Sequence, residues 1–264
     1  MSHSILYVAA GLLVGVMVGL TGVGGGSLMT PILMLLFGQP PAVAVGTDLV
    51  FSSSTKIAAT ASFGYTRRVD WPIVGRLALG SIPGAVGVIL WFWLSRRTPG
   101  VVNHLIPRFL AVMLALTALA LLLQEPLQRW ALGVSASWLE RARRYKFPLT
   151  VATGLLLGVG VTLTSVGAGA LGTVALFCLY PRRLPPERLV ATDIAHALPV
   201  TIVAATGHAT LGHVNLPLVG CLLLGSIPGV LIASHMAIRL PAAFTRALIA
   251  IMLAIVSGRM LLGS

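Results

Sequence analysis

The stretch "GLTGVGGGSLMTPIL" (19–33) decides how this chain is read. It lies inside a long apolar run, yet Gly24, Gly25 and Gly26 stand in a row at its centre. Each glycine costs a helix about 1 kcal/mol relative to alanine. Such a run marks a broken helix. Within a bilayer, non-helical backbone survives only where protein or a watery cavity surrounds it. The stretch therefore predicts an opening, or the wall of one, at membrane depth.

Composition puts the rest of the chain in the same layer. Of its 264 residues 57% are hydrophobic and 9% charged, and the mean hydropathy is +0.97. Runs of about 17–25 apolar residues read as spanning helices, which satisfy their own backbone. The net charge of +12 sits mainly in the loops between those runs. That is an orientation signal, and with no aromatic-basic groove it excludes nucleic acid as a partner. Cys178 and Cys221 lack metal-ligand spacing and are expected as small buried hydrophobes. The opening "MSHSILYV" (1–8) carries no Lys or Arg and is expected to begin a spanning helix, not a leader.

The glycine stretch is written twice. "TGVGGGSL" (21–28) matches "TSVGAGAL" (164–171), and "VGTDLV" (45–50) matches "VATDIA" (190–195). "VDWPIVGRLALGSIPGAVG" (69–87) matches "VNLPLVGCLLLGSIPGVLI" (214–232). The offset is 143 residues at the glycine loop and 145 beyond it, the extra two falling in "YPRRLPPERL" (180–189). Each half divides into five apolar pieces: 5–21, 27–37, 42–65, 73–95 and 107–123, then 148–164, 169–180, 189–211, 216–238 and 243–261. The second piece of each is too short to span at 1.5 Å per residue.

The predicted fold class is thus an all-α polytopic membrane protein of two repeats. Residues 1–123 form the N-terminal repeat, 124–146 a basic cytoplasmic linker and 147–264 the C-terminal repeat. Each repeat holds a glycine-broken hairpin, a spanning helix plus a short half-helix, and three further helices. An odd number of pieces makes two copies point in opposite directions, so the repeats are expected to be inverted. Lys and Arg counts favour both termini outside, with Arg67, Arg68, Arg129, Arg141, Arg143, Arg144, Lys146, Arg182, Arg183, Arg188 and Arg239 inside. Arg96 and Arg97 run against that rule. Inverted repeats are common in secondary transporters, with the site near the midplane at discontinuous helices.

A half-helix that starts at such a break offers N–H groups and the positive end of its dipole, which suit an anion. Gly24, Gly25 and Gly26, with Gly167 and Gly169 in the copy, are expected to line the cavity. Thr21, Ser27, Thr164 and Ser165 can add hydroxyl donors. Gly11, Gly15, Gly19 and the "GSIPG" at 80–84 and 225–229 read instead as close helix packing. Charged residues inside a membrane cost about 2.5–3.5 kcal/mol each and face a cavity or a partner. Asp48 and Asp193 are repeat equivalents, expected toward opposite membrane faces, though Asp48 also fits the outer interface as a backbone cap. Lys56 can neutralise Asp48 or attract an anion. Asp193 and His196 are three residues apart, close enough for a hydrogen bond that could carry protons. His208 reads either as a relay or as a packing residue, and His213 as solvated.

"GLTGVGGGSLMTPIL", "GTDLVFSSSTK" (46–56), "VDWPIVGRLALGSIPG" (69–84) and "ATDIAHALPVTIVAATGH" (191–208) together resemble the TauE/SafE sulfite-exporter family of permeases, over nearly the whole chain. The resemblance implies a helical bundle of two repeats that moves small sulfur-containing anions such as sulfite, thiosulfate, sulfate or organosulfonates. Members often carry a His before the "VDW" loop. Here Phe63 holds that place opposite His208, which argues against symmetric proton chemistry.

The expected function is a secondary transporter of the inner membrane, coupled to protons or another ion, with no cofactor and no resident metal, and oligomerisation left open. The alternative is a non-transporting subunit of a larger complex. An intramembrane aspartyl protease using Asp48 and Asp193 lacks its Gly-x-Gly-Asp signature. No P-loop is present, so the chain carries no ATPase motif.

Overall fold

A computed structural model describes residues 2–21, 26–65, 68–95, 99–133, 143–167, 169–181, 183–236 and 242–262. Ten α-helices occur among them. The first five are α1 (Ser2–Thr21), α2 (Gly26–Leu35), α3 (Pro41–Tyr65), α4 (Trp71–Leu94) and α5 (Pro99–Gly133). The second five are α6 (Lys146–Thr164), α7 (Ala170–Leu179), α8 (Pro186–Thr210), α9 (Leu216–Met236) and α10 (Ala242–Leu262). The described helices follow the two sets of apolar pieces, with one difference. α5 continues through 124–133, the first part of the expected linker, despite Pro126. Its remaining residues, "QEPLQRWALG", are otherwise good helix formers, and Ala131 is buried against Ile73 and Leu176.

Local chemistry explains the boundaries. α4 starts because Asp70 caps it: its carboxylate accepts from the Ile73 N–H, and Pro72 sits in the first turn, where no donor is missed. α6 ends at Ser165, which takes a left-handed conformation with φ of 61°. α2 and α7 have 10 residues each, or ~15 Å, about half a hydrocarbon layer.

α1 packs along α9 and α4 along α6, with α5 on α10 and α3 on α8. Glycine makes the first two pairings possible. A Cβ on Gly11 would meet the Leu222 carbonyl at 2.2 Å, and one on Gly154 would meet the Leu77 carbonyl at 2.2 Å. Gly15 stands against Ser226, and Gly158 against Ser81. From the other side, Gly225 and Gly80 would each place a Cβ 1.9 Å from a carbonyl, of Val8 and Val151. The packing role read for Gly11, Gly15 and both "GSIPG" segments is what the structure has. Gly19 lies outside the residues whose packing is described.

α3 and α8 lie side by side in opposite directions. The Asn215 N–H, just past the end of α8, donates to Thr47 near the start of α3 at 3.1 Å. The Asp70 N–H, just past the end of α3, donates to Thr192 near the start of α8, also at 3.1 Å.

The outside is apolar. Leu36, Leu94, Leu156 and Leu224 are each at least 70% exposed, a surface suited to lipid. Trp71–Leu94, Leu105–Ala131, Lys146–Thr164 and Arg188–Thr210 are long and apolar enough to cross a membrane, and shorter apolar helices accompany them. Cys178 is exposed and Cys221 half-buried, which corrects the expectation of buried thiols: both sit on outer helix faces. Inside, Val14, Met29, Leu33 and Phe51 from one half pack with Leu222 and Leu253 from the other.

Candidate functional site

Buried polarity gathers where the short helices meet α3 and α8. Asp48 is fully buried in α3 and accepts a hydrogen bond of 2.5 Å from Thr30 of α2. Asp193 in α8 is 1% exposed and accepts one of 3.2 Å from Thr173 of α7. Thr30 and Thr173 occupy the same station of the two halves. Each aspartate therefore ties a half-helix to a long one. A carboxylate held this way keeps one oxygen to spare: Asp48 Oδ1 and Asp193 Oδ1 are buried without a hydrogen-bond partner.

Lys56 is 5% exposed, two turns beyond Asp48 on the same helix. Its ammonium acts electrostatically on Asp48 and on Asp193. Asp48 follows Thr47 and Asp193 follows Thr192, which mark opposite ends of the antiparallel α3–α8 pair, so the two aspartates stand toward opposite ends of it, and Lys56 lies further along α3 toward the Asp193 end. Neither closes to a contact ion pair with Lys56, in contrast to Asp70, which pairs with Arg183 at 3.0 Å and Arg188 at 3.9 Å. The station of Lys56 in the second half is Thr201, so one ammonium serves both carboxylates.

The break in the second half is described except for Ala168. Ser165, Val166 and Gly167 leave α6, and Gly169 (φ 134°) enters α7. The first turn of α7 closes with Gly172 N–H on Gly167 O at 3.1 Å and Thr173 N–H on Gly169 O at 2.9 Å. Asp193 lies directly on that turn: a Cβ on Gly172 would fall 1.9 Å from its Oδ1. A carboxylate of the protein thus already occupies the flank of the helix N-terminus where an anion was expected. Thr164, expected as a donor to substrate, spends its hydroxyl on Gly160 O at 2.7 Å and Val166 O at 3.3 Å. In the first half Gly24 and Gly25 lie outside the described residues, and Thr21, Gly26 and Ser27 are described only as helical backbone.

The histidines are placed otherwise than expected. His196 does not bond to Asp193; its Nε2 pairs with Ser81 of α4 at 3.0 Å. His208 lies 15 residues beyond Asp193, ~22 Å along α8, and packs against Gly46 of α3, two residues before Asp48. Its Nε2–H donates to the Thr162 carbonyl at 3.0 Å, and its ring stands edge-on to Phe92. His213, expected in solvent, is half-buried with its ring 5.5 Å from that of His208.

Thr30, Thr173, Ser52 and Ser81 belong to this neighbourhood and were not singled out in the sequence. Thr30 and Thr173 were legible as the shared threonine of "SLMTPIL" and "ALGTVAL". An apolar cleft of about 510 Å³, lined by Pro83, Trp91, Leu105, Phe109 and Leu155 among others, lies between α4, α5 and α6 and holds no titratable side chain.

The model of the sulfite exporter TauE/SafE family matches residues 7–260. Among curated proteins, the chain is 38% identical over 242 residues to the "Probable membrane transporter protein YjnA" of Bacillus subtilis, covering 89% of this chain and 91% of that one. It is 24% identical over 227 residues to "Probable membrane transporter protein YunE" of the same organism, with 80% of each covered. No solved structure matches. With its helical bundle, its lipid-suited exterior and a buried polar centre, the chain belongs to the TauE/SafE family of membrane transporters.

Proposed function

We propose that this transporter moves a small sulfur-containing anion (sulfite, thiosulfate, sulfate or an organosulfonate) across the inner membrane, in company with a proton. The two halves act as an inverted repeat about an axis in the membrane plane. The opposite run of the equivalent helices α3 and α8, and the matched glycine stations of α1 on α9 and α6 on α4, support that arrangement. Both termini lie outside, in keeping with the basic loops expected in the cytoplasm.

The observation that carries the reading is Asp193 against the first turn of α7. A helix N-terminus at a membrane break favours an anion. A charged carboxylate beside it repels one. A proton on Asp193 removes that repulsion, and Lys56 then supplies the attraction. Substrate and proton enter together for electrostatic reasons: the proton neutralises the sum of Asp48, Asp193 and Lys56, and the anion without it would enter a centre that is already net negative. Gly24, Gly25, Gly26, Gly167 and Gly169 give the anion access to backbone, with Thr21, Ser27 and Ser165 at the rim. The family description, sulfite exporter, supports the substrate class.

The experiment uses purified protein in liposomes. An imposed pH gradient should drive labelled sulfite or thiosulfate to accumulate. Asp193→Asn, a permanent mimic of the protonated acid, should still exchange the anion but no longer respond to the gradient. Failure to move any of the four anion types contradicts the reading, as does an undiminished response in Asp193→Asn.

A further inference from the structure

The run "SSST" (52–55) of α3 contains one anomaly. Ser53 donates to Leu49 O at 2.6 Å, Ser54 to Val50 O at 3.0 Å and Thr55 to Ser52 O at 2.9 Å. These are the usual bonds of a helical hydroxyl to its own backbone. The hydroxyl of Ser52, the fully buried member, has no partner. An unpartnered buried hydroxyl costs about 1–3 kcal/mol. One turn before it stands Asp48, with Oδ1 equally unpartnered.

A third such oxygen arrives from the other half. Ser165 is 3% exposed, and its hydroxyl has no hydrogen-bond partner. It is the one non-glycine residue with positive φ among the described residues, at 61°. A side chain there costs about 1–2 kcal/mol. The first half has Gly22 at the same station, the residue that takes this conformation freely. Val166, the next residue, packs in one core with Phe51 of α3 and Met29 of α2, the two helices that hold Asp48, which brings Ser165 to that side of the centre. α6 ends at this serine, so the negative end of its dipole faces the same place. Two carboxylates and one ammonium, Asp48, Asp193 and Lys56, leave the ionised centre one positive charge short.

We propose that Asp48 Oδ1, Ser52 Oγ and Ser165 Oγ form a binding site for a small hard monovalent cation, of which sodium is the type, beside the anion path. Oxygen donors alone select a hard ion over a soft metal. Carbonyl ends of broken helices serve coupling ions in other inverted-repeat carriers. The second half cannot build a twin around Asp193, because Ala197 and Gly22 replace Ser52 and Ser165. The inference rests on the carrier reading above, to which it adds a second coupling ion.

Thermal unfolding of the purified full chain, in sodium chloride against choline chloride at equal ionic strength, tests it. Sodium at about 100-fold its dissociation constant should raise the midpoint by several degrees. Asp48→Asn and Ser165→Ala should lose that rise. Ser165→Gly is the decisive variant. It relieves the strained backbone, so it should unfold no earlier than wild type in choline, yet lose the sodium response. Equal midpoints for wild type in the two salts, or a full sodium response in Ser165→Gly, overturn the site. Sulfite uptake that persists with choline alone, together with equal midpoints, removes the cation site and spares the carrier reading. Sodium stabilisation without any anion uptake keeps the site and removes that reading.

Discussion

Asp70 and Asn215 hold the same station in the two halves, and each donates its N–H to the threonine of the opposite "TD" motif. Beyond that bond they part company. Asp70 caps α4 and also receives a fork from Arg183, Nε to Oδ2 and an Nη to Oδ1, both at 3.0 Å, with Arg188 at 3.9 Å. Asn215 caps α9, its Oδ1 accepting from the Leu218 N–H at 3.1 Å. One end of the α3–α8 pair is thus fastened by charge from the loop after α7, and the other by neutral bonds. The same inequality recurs at the centre. Asp48 has Ser52, Ser165 and Lys56 around it, while the matching stations around Asp193 read Ala197, Gly22 and Thr201. The scaffold is duplicated; the chemistry laid on it is not.

The largest expected effect concerns what the halves share. Gly80→Val and Gly225→Val each drive a Cβ into a backbone carbonyl of the partner helix, and each should abolish folded protein, a loss of ~3 kcal/mol or more. Gly75→Val and Gly220→Val, the equivalent pair with nothing within 4 Å, should fold as wild type. Gel filtration in detergent and thermal unfolding read all four. If only one half is sensitive, the matched packing is not what holds the scaffold.

The shared part was also the part legible in the sequence. Small residues repeated at an offset of 143 or 145 can only mean shared backbone geometry, so the second-half break, the short helices and the "GSIPG" contacts followed from the letters. The differences between halves were harder to read. His196 has Phe51 as its counterpart, and no pattern said that it would reach Ser81 of the other half. Its neighbour Asp193 was the nearer partner along the chain. Likewise Ser52 stands among other hydroxyls in "SSST", and only burial distinguishes it. Helical spacing gives neighbours on one helix; it cannot give what a second helix brings. The end of α5 was missed for a simpler reason: polar residues past 123 read as linker, though they propagate a helix well.

A smaller effect sharpens the contrast between the two ends. Asp70→Asn removes the ionised acceptor from the Arg183 fork and should cost about 1.5–3 kcal/mol, less at high salt because the arginine is 47% exposed. Asn215→Asp, made at the neutral end, should gain no comparable stability. Unfolding midpoints at low and high ionic strength separate the two. Equal effects at both ends would mean that the charge fastens nothing.

The central claim is that the two halves face opposite sides of the membrane around a buried polar centre. Pro40 and Pro185 are equivalent, exposed residues in the loops that follow α2 and α7. Pro40→Cys and Pro185→Cys, made singly in a chain with Cys178 and Cys221 replaced by serine, can be labelled with a membrane-impermeant maleimide in intact cells and in inverted vesicles. The account predicts labelling from opposite sides, Pro185→Cys from the cytoplasm and Pro40→Cys from outside. Labelling of both from one side would contradict it.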